Sequence, residues 1–279
     1  MVLNWTLYAQ SDSSHLNHKR LRSVVVGTSA AYATGLLALN HVWYKDTERQ
    51  SFRFFNDNAE WKQLDKFGHF YSSYYLSYTA SKALAWCQMG QHKASINGAL
   101  AGFLMTVPIE ILDGFSDGYG ASAGDIVADA AGPAFFLAQA LTWKEIRIHP
   151  KFSFHRTPYP ALRPALLGDN LFSEVVKDYN GQTYWLSFDI DKFVPFPKWL
   201  NLGVGHGAKE MIYARDGQNR EAGLDPYRQY FFAIDFDITA IRTRSKVIKT
   251  LVFLVNAIKL PAPTLEVSRK GSRFHAFYW

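Results

Sequence analysis

The sequence predicts an α+β protein, an N-terminal four-helix bundle of membrane type followed by a small antiparallel β-sheet with one further helix. Three observations carry this prediction. Apolar segments between Val24 and Leu141 carry polar residues at helical spacing, apolar residues from Tyr184 onward recur with a period of two, and Pro150, Pro158, Pro160 and Pro164 separate the two regimes. The chain accordingly divides at 1–22, 23–143, 144–170 and 171–279.

Taken in order, residues 1–22 read as a signal remnant and a disordered polar spacer. Leu7-Tyr8-Ala9-Gln10 resembles the end of a cleaved secretory signal, but a basic n-region is missing, so a misplaced start or a chance match fits equally well. Val24 to Val42 is uncharged and rich in Gly and Ala, about 20 residues long, which suits insertion in a bilayer or close packing in a bundle. Tyr44 to Trp61 mixes Asp46, Glu48, Asp57 and Glu60 with aromatic rings, as an interfacial connector does. Leu64 to Trp86 forms the second helix, with Tyr71, Tyr74, Tyr75 and Tyr78 along it as packing rings and Gly90 as its stop. Ala94 to Leu112 forms the third, bent at Pro108, and Ser122 caps a fourth that runs to about Leu141.

Residues 144–170 read as an extended linker. Beyond it, Tyr184–Ile190, Leu200–Val204 and Tyr230–Ile238 alternate as strands, Val247, Leu251, Leu254 and Ile258 mark a helix, and Leu265 to Trp279 returns to strand. About five strands fall short of the roughly eight that close an outer-membrane barrel, so an open sheet packed on the helices is expected. Asp189, Asp191, Asp235 and Asp237 are assigned to a solvated strand face neutralised by Lys192, Arg228 or Arg242, and His206 between two glycines to a turn or bulge.

Composition narrows the class. Of 279 residues 48% are hydrophobic and 16% aromatic, whereas 19% are charged, and the mean hydropathy of −0.13 excludes a polytopic transporter. The net charge of +6 is dispersed, which argues against nucleic acid and for anionic lipid head groups. The single cysteine, Cys87, excludes an internal disulfide and a thiolate metal cluster, and it lies far from any lipobox position.

The polar residues of the helical half form a motif. Asp65 and His69 are four apart, Glu110 and Asp113 three apart, and Ser122, Asp125 and Asp129 three and four apart, so each set shares one helix face, with Lys66 beside Asp65. Three polar faces in apolar helices should meet. His69, Glu110, Asp113 and Asp125 have the chemistry of ligands for one zinc, manganese or magnesium ion. The competing reading is a polar interlock in which Lys66 pairs with Glu110 or Asp113 and His69 bonds Asp125, fixing helix register without a cofactor. Ser116 and Ser122 lack a triad-like neighbour beyond His69, which disfavours a serine hydrolase.

The strings Asp65-Lys66-x-x-His69, Glu110-x-x-Asp113-Gly114 and Ser122-x-x-Asp125-x-x-x-Asp129-x-x-Gly132 resemble the YfiM-like family of predicted periplasmic lipoproteins. More distantly they are similar to VanZ-like membrane proteins. The first resemblance implies a Gram-negative cell envelope, on the outer-membrane or periplasmic side rather than the inner membrane, and no established activity. It also implies a lipid anchor, which Cys87 does not provide. The expected function is a structural or binding role at a membrane, with membrane lipids and an envelope protein or glycolipid as partners. The alternative is a metal-dependent membrane-interface hydrolase or transferase acting on a lipid-linked phosphate or glycan. A closed, fully paired polar network favours the first, and a cleft lined by unpaired carboxylates the second.

Overall fold

The structure, a computed structural model, describes residues 16–44, 47–241 and 243–279. Four long helices come first: α1 (His18–Tyr44), α2 (Leu64–Trp86), α3 (Gln91–Gly114) and α4 (Ala123–Thr142). Only α2, α3 and α4 pack into a bundle. Small residues let their backbones nearly touch: a Cβ on Gly102 would lie 2.0 Å from Ser77 Oγ, and one on Gly132 would lie 2.3 Å from the Phe70 carbonyl oxygen. Tyr74 and Phe136 fill the centre. Helix α1 buries none of its side chains and is tethered by the Asn17 amide to the Cys87 carbonyl and by Tyr32 Oη to the Met105 carbonyl. The expected four-helix bundle is thus three packed helices with a fourth beside them, because the Val24–Val42 run has no polar stripe to dock. Helices α1 and α3 are each long and apolar enough to cross a membrane.

The second half is a six-stranded antiparallel sheet in the order β1 (Ile148–Phe154), β2 (Gln182–Phe188), β3 (Leu200–Lys209), β4 (Tyr227–Phe236), β5 (Ala262–Ser268) and β6 (Gly271–Tyr278). Short helices α5 (Pro164–Leu167), α6 (Leu171–Lys177), α7 (Asp216–Glu221) and the expected α8 (Lys246–Val255) fill the connections. Strand β1 lies in the stretch expected as a linker, and the single C-terminal strand is a hairpin turned at Gly271, where φ is 114°. His206 is not in a turn: it sits within β3 opposite Tyr184 and Tyr230.

The sheet is strongly coiled. Strands lie about 4.8 Å apart, so a flat sheet would hold β1 and β4 about 14 Å apart, yet Lys151 Nζ on β1 is 2.7 Å from Asp235 Oδ2 on β4. The segment Ala257–Lys259 completes the curl by pairing parallel with β1, through Phe152 N to Ala257 O at 3.0 Å and Lys259 N to Phe152 O at 2.9 Å. Tyr278 Oη and Thr183 Oγ1 meet at 3.1 Å across the enclosed interior.

Faces are reversed relative to an ordinary sheet. Inside lie Lys151, Ser187, Asn201, Asp235 and Lys259, all buried, together with Trp185 and Phe231. Asp189 accepts from Asn201 Nδ2 at 2.6 Å and lies 3.0 Å from His149 Nε2. Asp189 and Asp235 are therefore not on a solvated face, and their partners are His149, Lys151 and Lys259 rather than Lys192 or Arg228. Arg242, the third expected partner, lies outside the described residues, as do residues 1–15 of the signal and spacer reading. Outside run apolar rows such as Pro150–Leu186–Val204–Phe232–Leu265–Phe274. Helix α2 covers the β1–β2 end of that surface, with Phe67 stacked on Tyr184 and Tyr71 packed at an angle against Phe152 and Tyr184.

Candidate functional site: a carboxylate-rich cavity

The site begins with a strained turn. Trp61, Lys62 and Gln63 all have left-handed backbones, with φ of 45°, 53° and 67°, a conformation that costs roughly 1–2 kcal/mol for each non-glycine residue. The surroundings hold it there. Trp61 N donates to the Ala214 carbonyl at 2.8 Å, and Arg228 on β4 donates to the Lys62 carbonyl at 2.7 Å and to Gln63 Oε1 at 3.1 Å. The turn starts α2 with Leu64 fully buried and sends Asp65, Lys66 and His69 towards α3 and α4.

All eight residues of the sequence motif converge. Ser122 joins the elements: its Oγ accepts from the Asp125 amide at 3.2 Å as the N-cap of α4 and donates to Asp57, while its own amide donates to Glu110 Oε2 at 3.1 Å. Two nests of acid result. In the first, Asp57, Asp65 and Asp125 enclose Lys66 Nζ at 2.6, 2.9 and 2.8 Å. In the second, His69 Nδ1 lies 3.1 Å from Asp129 Oδ1 and 3.7 Å from Glu110 Oε1, with His69 Nε2 3.8 Å from Asp125 Oδ1.

The expected interlock pairs are thus exchanged. Lys66 binds neither Glu110 nor Asp113, and the hydrogen bond of His69 goes to Asp129. Asp113 instead accepts from Tyr44 Oη at 2.5 Å. The expected metal set changes as well: ligand atoms of His69, Glu110 and Asp129 lie within 4.8 Å of one another, Asp125 is committed to Lys66, and Asp113 stands apart. Asp57 and Tyr44 are site residues that the spacing argument missed, Asp57 because the irregular connector that carries it has no period and Tyr44 because it stands alone at the end of α1.

Charge is out of balance. Six carboxylates, those of Asp57, Asp65, Glu110, Asp113, Asp125 and Asp129, face the two cations of Lys66 and His69. Burial pushes Glu110 up to about 8 and Asp113 up to about 6, and it raises Asp65 and Asp125 too. Burial opposes the charge on His69, but the Asp129 hydrogen bond and the charges of Asp125, Asp129 and Glu110 hold it up at about 9. Asp65 Oδ1, Glu110 Oε1 and Asp129 Oδ2 are buried without a hydrogen-bond partner among the described residues. Glu110 is 4% exposed and Asp129 1%, so water does not satisfy them from bulk.

Most of these groups, though not Lys66 or Glu110, line a cavity of about 430 Å³ between the helices and the sheet. Asp57, Asp65, His69, Asp113, Asp125 and Asp129 contribute its polar lining, and Leu36, Leu39, Ile109, Leu112, Leu166 and Val175 contribute apolar lining, with Lys177 also on the wall. An imidazole and carboxylates at this spacing fit a hard or borderline divalent cation.

Residues 53–140 match the model of a family described as "Predicted periplasmic lipoprotein (DUF2279)". The matched stretch holds every residue of the acidic network except Tyr44, and it is a family of unknown activity assigned to the periplasmic side of the envelope. No curated protein and no solved structure matches the chain.

Proposed function

We propose, on the premise that residues 53–140 belong to this envelope family, that the cavity is a divalent-cation site. It serves hydrolysis or transfer of a phosphate or glycan carried on a lipid. The observation that carries the reading is the second nest. Lys66 ion-pairs with Asp57, Asp65 and Asp125, whereas Glu110 Oε1, 3.7 Å from His69 Nδ1, and Asp129 Oδ2 are buried beside a histidine without a hydrogen bond. A role limited to locking helix register would leave those oxygens paired, since unpaired buried acceptors cost about 1–3 kcal/mol each.

His69, Glu110 and Asp129 would hold the ion. Bound there, a divalent cation supplies a Lewis acid and a water of lowered pKa. Lys66 keeps three neighbouring carboxylates in place and their charge off the ion. Asp113 faces the cavity with Tyr44 on one oxygen, and burial holds its proton affinity within reach of neutral pH, as a general base requires. The leucine-rich walls accept hydrocarbon.

The test is metal analysis of the full chain purified in detergent and equilibrated with Mn²⁺ or Zn²⁺. One equivalent should bind, raise stability by about 2.7 kcal/mol at a hundredfold excess over Kd, and be lost in Glu110→Gln/Asp129→Asn. Absence of a stoichiometric ion, with an unfolding midpoint indifferent to metal, overturns the proposal and leaves His69 and Asp129 as a helix lock.

A further inference from the structure

The outer surface of the coiled sheet is apolar where the helices leave it bare. Beyond β2, Leu202 (47% exposed), Val204, Tyr230, Phe232 (55% exposed), Leu265 and Phe274 stand side by side in the cross-strand rows, and no charged residue interrupts them. The same strands turn Asn201, Gln229, Asp235, Thr264 and Glu266 inward. Polar inside and apolar outside is the arrangement of a sheet whose exterior meets hydrocarbon, the reverse of one whose exterior meets water. Helix α8 extends the surface. Its Phe253 packs on Tyr75 and Tyr78 of α2, while Val247, Leu251 and Leu254 stay exposed on its other side.

We propose that the outer face of β3–β6, with the exposed side of α8, lies in the apolar layer of a membrane containing anionic lipids. Charge at the margins agrees with that partner. Lys246 and Lys249 lie on α8 beside its apolar stripe, and no carboxylate pairs with either among the described residues. Each such cation near an anionic surface contributes roughly 1 kcal/mol. Shape selects lipid over a second copy of the chain. The face is the convex side of a coiled sheet, so two rigid copies would meet along a narrow line, whereas acyl chains conform to it.

The assay uses the full chain with the environment-sensitive fluorophore NBD on single introduced cysteines. Cys87, the native cysteine, is fully buried and does not compete for label. Val204→Cys, Phe232→Cys and Leu265→Cys probe the face, and Gly217→Cys, whose site has open space around it, is the control. In vesicles of phosphatidylglycerol and phosphatidylcholine, the three face positions should shift to shorter wavelength and be quenched by doxyl-labelled acyl chains, with the control unchanged. Vesicle-bound protein whose face positions stay unquenched overturns the proposal and assigns attachment to α1. Failure to bind vesicles overturns it too, and so does cross-linking of position 232 between two copies in place of quenching. None of these outcomes depends on metal binding.

Discussion

Replacing Lys66 with Met keeps the length of the side chain and removes its ammonium. In the native protein that group is 13% exposed and touches three carboxylates, two of them 13% and one 8% exposed, all within 2.9 Å. Breaking a buried ion pair by deleting one partner costs about 3–5 kcal/mol, because the surviving charge is left uncompensated. Here three charges survive, and protonation relieves part of the repulsion, so the same range applies. At about 2–4 °C per kcal/mol for a chain of this size class, the midpoint of thermal unfolding should fall on the order of 10 °C. The deficit should be larger at pH 8 than at pH 5, where the carboxylates take up protons. Circular dichroism in detergent at both pH values measures it, and added Ca²⁺ or Mn²⁺ should recover part of the loss by entering the vacated nest of Asp57, Asp65 and Asp125. A Lys66→Met midpoint equal to that of the parent at pH 8 would refute the argument that the ammonium neutralises this nest.

Two further outcomes are expected. Gly102→Ala places a methyl 2.0 Å from Ser77 Oγ and 2.5 Å from its amide nitrogen, so α2 and α3 must separate, at about 1–3 kcal/mol or more; an unchanged urea midpoint would contradict the close helix contact. His155, held down at about 4 by burial and by Lys209 2.6 Å away, is neutral when folded and takes up a proton more readily when unfolded. Its stabilising contribution is therefore present above about pH 6.5 and lost as pH falls towards 4. His155→Gln should flatten that part of the stability profile, and a parent-like acid slope in the variant would contradict it.

The spacing of Asp65, His69, Glu110, Asp113, Ser122, Asp125 and Asp129 was enough to bring seven side chains from three helices to one place, because a buried polar face in an apolar helix has few ways to be satisfied. It could not show which acid meets which base. Asp57 reaches Lys66 from an aperiodic connector, and so takes the partner that spacing assigned to α3. Strand β1 was hidden for a related reason. It follows closely on α4 and contains Pro150, and its inward side chains, His149, Lys151 and Ser153, are polar. The period of two is legible in β2 to β4, but its sign is not. The ordinary rule that polar residues face out assigns Asp189 and Asp235 to water, and a sheet with an apolar exterior inverts it.

The parallel pairing of Ala257–Lys259 with β1 also governs the order in which the chain can assemble. Lys151 and its partner Asn256 are 105 residues apart. During synthesis β1 therefore emerges long before the segment that seals its edge, and closing so large a loop is entropically costly and comes late. Until then Lys151 remains hydrated and its strand has a free edge, open to pairing with other chains. A ribosome-stalled chain ending before residue 257 should hence show the helices protected from proteases while β1 is still cut, and Ala257–Lys259 act as the clasp that commits the β half to its folded form.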